Sequence, residues 1–518
     1  MYNIDFQLNF RHFMGKLLTG KMKENRLVSL LRTFTADEIK RFEKFTASPY
    51  HREGKNIAPL FGELKKFHPA YDTGSISYEA IYSALYPGRK YNKQVMWNLV
   101  SALESSALSF LEHEAFRKNE FQKKELLALE LVSRNLAKHA QKTLGGFDEF
   151  FQSEKIGFDY FKQRIVQRDV WINYYQAENK HHLMAGIHNE NMEYRVLDFL
   201  KTLKASLEDQ LFFSEMYNVK SETNIALEFA KSLDLKAIDD YCRKKKFRYH
   251  FFISLLYRSI MMILRPREDE HFLELRRLFE KYHSRFDRRE KRNMIIPMVN
   301  YCIMRRNVTS PDYRRIAFEL NDFRLREGLA FYPENRIPKQ LYTQMLVNAL
   351  ALKEIKWAES LIKEYSDKLH PGIVLSMRSL AEAYLGFEKK NYGEVLRLLN
   401  NVEFTDVRDK LHVRLLTAKT YYELDETETL LSYIDSSKHF LLNSASINES
   451  RKRSYNNFFI YLSRLASAGE GSASRGSSKN KNKLAEDISV LSKYLMSEEQ
   501  IEGKIWLQKK TDEKANRA

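Results

Sequence analysis

Along residues 341–442 the apolar positions fall into one order three times: a run at helical spacing, a short polar break, and a second run. "LYTQMLVNALALKEIKWAESLIKEYSDKLHP" breaks before Trp357-Ala358 and ends at Pro371. "SLAEAYLGFEKKNYGEVLRLL" (379–399) carries Ala381, Tyr384 and Leu385, breaks at 388–391, and resumes at Tyr392 toward Val395 and Leu399. "LHVRLLTAKTYYELDETETLLSYIDSSKHFL" has Tyr421-Tyr422 before its break and Leu430 after it. Aligned on Ala358, Val395 and Leu430, the steps are 37 and 35 residues. A fixed step of that size predicts repeated helical hairpins.

The pattern upstream is less regular. Between Leu27 and Phe116 short apolar runs alternate with turn signals. Thr35 with Glu38 three residues on predicts a capping box, opening a helix that stops at Pro49. Further helices are predicted from Asn56 to Phe67, ended by Pro69, and from Tyr78 to Tyr86, ended by Pro87-Gly88. A longer one runs from Asn92 through Leu111, with Val95, Leu99, Leu103, Leu108 and Leu111 at helical spacing. Residues 119–300 read as long amphipathic helices: 119–143 and 147–178, separated by Gly145-Gly146, then 188–214, 222–241, 247–264 and 269–285. Their Tyr and Phe stripes read as core packing.

After Leu465 the pattern stops. "SAGEGSASRGSSKNKNK" (467–483) holds nothing larger than Ala that could enter a core. It is expected to be a flexible linker with an r.m.s. span of ~20–25 Å. Leu484, Ile488, Leu491 and Leu495 then share one helical face, followed by Ile501, Ile505 and Trp506. This tail helix either folds back as a cap on the repeats or docks into a partner. The expected division is an extension 1–26, an N-terminal helical domain 27–117, a long-helix region 118–340, repeats 341–466, the linker 467–483 and the tail 484–518. "MKENRLVSLLRTF" reads as a clean first helix, so Met22 is an alternative start to Met1.

Composition sharpens the fold class. Ten prolines and 18 glycines in 518 residues lie well below the usual ~5% and ~7%. Hydrophobic residues make up 43% and aromatics 13%, enough for buried cores. We therefore expect an all-α protein, an irregular α-solenoid of helix hairpins with a small N-terminal helical domain. Cys242 and Cys302 are too few for a disulfide framework and point to a reducing cytoplasm. No secretory signal is visible, and the longest apolar run, Phe251 to Leu264, contains Arg258 and is too short to span a bilayer. No membrane partner is expected.

Charge opens a second function class. The net charge is +17, and residues 241–330 hold 22 Lys/Arg against 11 Asp/Glu. Arg243, Lys244, Lys245, Lys246, Arg248, Arg288, Arg289 and Arg292 are candidate anion-binding residues that, on one face, would track a phosphate backbone. The bland alternative is that they are solvated helix positions paired with neighbouring acids.

The search for catalytic chemistry finds little. There is no phosphate-binding or dinucleotide glycine loop, no H-E-x-x-H, no paired C-x-x-C and no G-x-S-x-G elbow. Glu178/His181 and Glu268/His271 have a spacing found in helical metal sites, and His181, His182 and His188 cluster. Chance spacing and surface placement explain all of these. No catalytic residue, metal site or cofactor is assigned.

Residues 341–442 resemble a degenerate tetratricopeptide array. The likeness rests on Ala358, Val395 and Leu430, the aromatics Trp357 and Tyr392, Tyr384 and Pro371; the family's first-helix Trp and Leu-Gly pair are missing. "ALYPGRKYN…NLVSALESSALSFL" with "RFEKFTASPY" resembles the start of uncharacterised solenoid-containing proteins of Bacteroidota-type bacteria, which implies no activity. The helix-turn-helix form of 76–111 is also similar to that of winged activators preceding such arrays, which would place Arg89, Lys90, Asn92, Lys93, Gln94 and Asn98 toward DNA. No wing hairpin follows. The expectation is a non-enzymatic cytoplasmic scaffold holding a protein or peptide on the concave face of the first helices. Its candidate groove residues are Gln344, Asn348, Arg378, Glu382, Arg414 and Lys419. Nucleic-acid binding through 243–326 or the N-terminal helices is the alternative; oligomeric state stays open.

Overall fold

The structure, a computed structural model, describes residues 26–51, 56–71, 76–152, 155–217, 223–305, 312–332, 335–400, 402–404, 406–444, 447–468, 478–498 and 500–516. The possible N-terminal extension and most of the expected linker lie outside them. The protein is all-α: among the described residues there are 24 α-helices and no strand, only two single bridges. Its described residues divide into two compact units, those within 1–150 with 170–182, and those within 151–169 with 183–518.

In the first unit, α1 (Arg26–Leu31), α2 (Ala36–Ala47), α3 (Ala58–Lys65) and α4 (Tyr78–Leu85) lead to the long α5 (Lys93–Lys118). The capping box forms as the sequence predicts. The Thr35 hydroxyl accepts from the Glu38 amide, and the Glu38 carboxylate accepts from the Thr35 amide at 2.9 Å. Helices α1, α2 and α3 all pack on α5. Their centre is a ring cluster in which Phe42 meets Phe61 at 4.7 Å and Phe110 at 5.2 Å. Buried Glu114 on α5 is held by Arg41 and Arg117, each at 3.0 Å. Asn92, expected to face DNA, instead caps α5 by accepting from the Val95 amide, and Gln94 donates to Asn98.

The expected helix 119–143 is two helices, α6 (Glu120–Ser133) and α7 (Ala137–Gly145), because Asn135 turns left-handed at φ 58°. Residues 147–152 and 155–159 are not part of the following helix, α8 (Tyr160–Ala177). The glycine pair, read as a separator, has Gly145 inside α7.

The second unit contains the first turns of α8 and then α9 (Met184–Tyr217), α10 (Ile225–Ser232), α11 (Leu235–Lys244), α12 (His250–Leu264), α13 (Asp269–Tyr282), α14 (Arg288–Met304) and α15 (Tyr313–Arg326). The expected helix 222–241 divides because Asp234 caps α11, accepting from the Ala237 amide. There follow α16 (Lys339–Ala351), α17 (Ile355–Tyr365), α18 (Val374–Glu388), α19 (Tyr392–Asn400), α20 (Val407–Glu423), α21 (Thr427–Leu442) and α22 (Glu449–Ser467). From α12 to α22 each helix packs on the next; α16 also packs on α18, and α18 on α20.

The turns inside the three hairpins share one geometry. Lys353, Lys390 and Asp425 sit at φ 63°, 63° and 57°, again 37 and 35 residues apart. The next amide reaches back five residues to a carbonyl: Glu354 to Ala349, Asn391 to Gly386 and Glu426 to Tyr421, at 2.9, 2.8 and 3.1 Å. This closure satisfies carbonyls that a helix end leaves open.

The tail is two helices, α23 (Ser478–Ser497) and α24 (Lys504–Ala515). Residues 478–483, expected in the linker, form the start of α23. Gly503, at φ 69°, breaks the expected single helix. Leu491, Leu495, Ile501 and Leu507 are buried among Phe458, Phe459, Leu462 and Leu465 of α22. Polar contacts fix the docking: the Glu502 amide donates to the Ser454 carbonyl at 3.1 Å, Lys510 pairs with Glu423 at 2.9 Å, and Lys514 donates to the Leu465 carbonyl at 2.7 Å.

Candidate functional site

Helices α18 and α20 are the first helices of neighbouring hairpins, and each buries its small and aliphatic residues: Ala381 and Ala383 on one, Leu411, Leu415 and Ala418 on the other. This leaves larger polar side chains on a second stripe. Tyr384 on α18 bridges to α20, its hydroxyl 2.9 Å from His412 Nδ1. Lys419 follows His412 by seven residues, two turns along the same face and ~10 Å further on.

The tail completes this recess. The Lys419 ammonium lies 5.7 Å from the ring centre of Phe458 and 5.2 Å from that of Trp506 on α24. Trp506 is braced edge-on by Tyr422 at 5.5 Å. A Cβ at position 503 would stand 3.2 Å from the Lys419 nitrogen, so Gly503 serves both the left-handed turn and the close approach.

Solvent touches Tyr384, His412 and Lys419, yet protein surrounds them enough for desolvation to dominate their electrostatics. Burial pushes the Lys419 amine down to about 8, with the Glu502 carboxylate opposing, and lowers His412. Burial also raises the Tyr384 hydroxyl well above its ordinary value. Among the described residues Lys419 makes no hydrogen bond or ion pair, and His412 uses only Nδ1. The face therefore sets an amine, an imidazole nitrogen and aromatic rings side by side.

Of the six groove residues expected from sequence, Lys419 alone is placed in this recess. Asn348 donates to the Arg314 carbonyl at 3.0 Å, and Arg378 pairs with Asp367 at 2.7 Å. Arg414 turns toward α21, donating to Ser437 and lying 4.6 Å over the Phe440 ring. Glu382 is exposed and Gln344 half-buried. His412, Glu502 and Trp506 were missed as site residues. The seven-residue step from His412 to Lys419 was the available signal; the contribution of the tail had none.

The candidate anion-binding residues fall at two places, the end of α11 and the start of α14. Arg243 pairs with buried Asp239, which also accepts from Ser254. Lys244, Lys245 and Lys246 are exposed where α11 ends, and Arg248 lies over Tyr249 at 5.3 Å. Arg289 stacks on Phe158 at 3.6 Å with Asp159 at 3.7 Å. Arg288 donates to the Gly328 carbonyl, and Arg292 to those of Leu329 and Phe331. Elsewhere in the basic region, arginines find acids: Arg276 with Glu280 and Glu319, Arg277 with Glu274, and Arg305 with Asp269.

Among the described residues no group of three or more His, Cys, Asp or Glu is placed to hold a metal. His271 is instead enclosed by Glu268 at 3.4 Å and Arg258 at 2.9 Å. No described helix is long and apolar enough to cross a membrane. Compared with protein-family models, with curated proteins and with solved structures, the chain matches none.

Proposed function

We propose that this chain is a non-enzymatic cytoplasmic scaffold, an irregular tetratricopeptide-like α-solenoid that holds a segment of a protein partner on its first helices. The observation that carries the reading is the grouping of Tyr384, His412 and Lys419 on the first helices, where the Lys419 amine and His412 Nε2 make no hydrogen bond or ion pair among the described residues. The recurrent turn at Lys353, Lys390 and Asp425 supports it, as does the contact of α16 with α18 and of α18 with α20. Hairpins stacked this way cannot bury their apolar faces alone and leave the first helices lining one surface. The unpaired Cys242 and Cys302 suit a reducing compartment.

Photo-crosslinking tests the reading. A benzophenone residue at Gln344 or Glu382 is expected to trap the same partner segment, and Lys419→Ala is expected to reduce that trapping. The same probe at Lys363 on α17 should trap it far less. Equal capture from all three positions would sink the proposal.

Nucleic-acid binding is the second reading, favoured by exposed Lys244, Lys245 and Lys246, which make no ion pair among the described residues. It requires DNA or RNA binding that weakens steeply with salt and is lost when all three are changed to Ala. No binding at low salt would dismiss it.

A further inference from the structure

Most arginines between α11 and α17 reach a carboxylate, but three around the turn after α15 reach none. Arg288 and Arg292 on α14 clamp that turn through main-chain carbonyls, those of Gly328 (2.6 Å), Leu329 (2.9 Å) and Phe331 (2.7 Å). Arg292 also lies 4.6 Å over the Tyr332 ring. Arg324, in the last turn of α15, is 4% exposed. Its side chain makes one hydrogen bond, Nη1 to Asn321 Oδ1 at 3.3 Å. Arg324 Nε and Asn321 Nδ2 are both buried without a partner.

Burial pulls the Arg324 guanidinium down to about 10; the Tyr332 phenol opposes this, and the Arg292 charge adds a smaller push in the same direction as burial. Arg324 therefore remains a cation at neutral pH. A buried cation beside a second cation, with two orphaned donors and no acid, is a donor set lacking its acceptor. Acidic residues sit nearby but are spent elsewhere: Glu327 on Lys291 at 2.9 Å and Asp322 on Arg326 at 2.9 Å.

We infer that Arg324, Arg292 and Asn321 form a binding site for a compact oxyanion, phosphate being the type, at the turn that Arg288 and Arg292 hold. Planar guanidinium groups and an amide suit the several acceptor oxygens of such an ion. Because Arg324 Nε and Asn321 Nδ2 are enclosed, a small free ion suits this site and a continuous nucleic-acid backbone does not.

The test is thermal unfolding of the full chain in sodium phosphate and in sodium chloride at equal ionic strength and pH, with calorimetric titration of inorganic phosphate. Phosphate is expected to raise Tm above chloride, as any ligand of the folded state does. Arg324→Met is expected to abolish that rise while keeping a chloride Tm no lower than the parent, since it removes an unpaired buried charge. Should that variant fail to fold, Asn321→Leu serves instead, with phosphate affinity expected to fall roughly 10-fold for one lost bond to a charged ligand. Equal Tm in the two salts, or a phosphate effect unchanged in the folded variants, would overturn the site. Competition for phosphate by a single-stranded oligonucleotide at matched phosphate content would overturn the compact-ion assignment.

Discussion

Asp406 shows what one residue contributes and what sequence can say about it. Its side chain caps α20 by accepting from the Arg408 amide at 2.9 Å, and it pairs with Lys339 at 3.0 Å and Arg408 at 2.9 Å. Desolvation pushes its carboxyl up, but the bonds from Arg408 and Lys339 outweigh this and hold it well below the usual carboxylate range. A depressed folded pKa stabilises above the unfolded value near 3.9, and that stabilisation is lost as pH falls through the folded one. Asp406→Asn should therefore cost about 1–2 kcal/mol at pH 7 and less at pH 3, read by urea unfolding at both. An equal loss at both pH values would contradict the ion pairs. The Thr35–Glu38 box was legible because its partners lie three residues apart. The Lys339–Asp406 pair spans 67 residues and no local pattern encodes it.

At the scale of elements, helix existence was read well and helix ends poorly. Apolar periodicity marks where a helix must bury a face, but several ends are set by residues in the left-handed conformation. Glycine is the expected residue there, yet this chain uses Asn135, Lys353, Lys390 and Asp425. The same closure at Gly328 has a further constraint, since a Cβ would stand 2.8 Å from Arg288 Nη2. Lys390→Gly is expected to stabilise by about 0.5 kcal/mol by relieving the strain, and Gly328→Ala to destabilise by about 1–2 kcal/mol. Chemical denaturation of the pair checks this; the same sign for both would refute the turn assignment. The tail makes a separate claim. Ile501 is 1% exposed, so Ile501→Ala should cost about 2–4 kcal/mol. Hydrogen exchange should speed up in α23 and α24 while α12–α15 keep their protection. Unchanged exchange in the tail would mean that it is not held by this core.

At the scale of the whole molecule, low Pro and Gly content with helical periodicity was enough for an all-α fold, and the structure is all-α. Charge was legible only as a sum. The basic excess of 241–330 resolves into mostly paired arginines, one exposed lysine run and one unpaired cluster, and only three-dimensional pairing separates them. The recess was illegible for the same reason. Lys419 stood out on a first helix, but its walls come from Phe458 and Trp506, the second of them beyond the expected linker. The hairpin pattern is local and legible, whereas the surroundings of Lys419 are assembled from residues far apart in sequence.

The recess is tested most directly by titrating Lys419 in the full chain, through carbon-13 NMR of reductively methylated lysines with Lys419→Arg to assign its signal. Burial beneath Phe458 and Trp506 predicts a midpoint of about 8, against an ordinary value of 10.5, that moves back upward in Trp506→Ala. A midpoint near 10.5 that ignores Trp506→Ala would show that the tail does not enclose this amine, and the site built on it would fall.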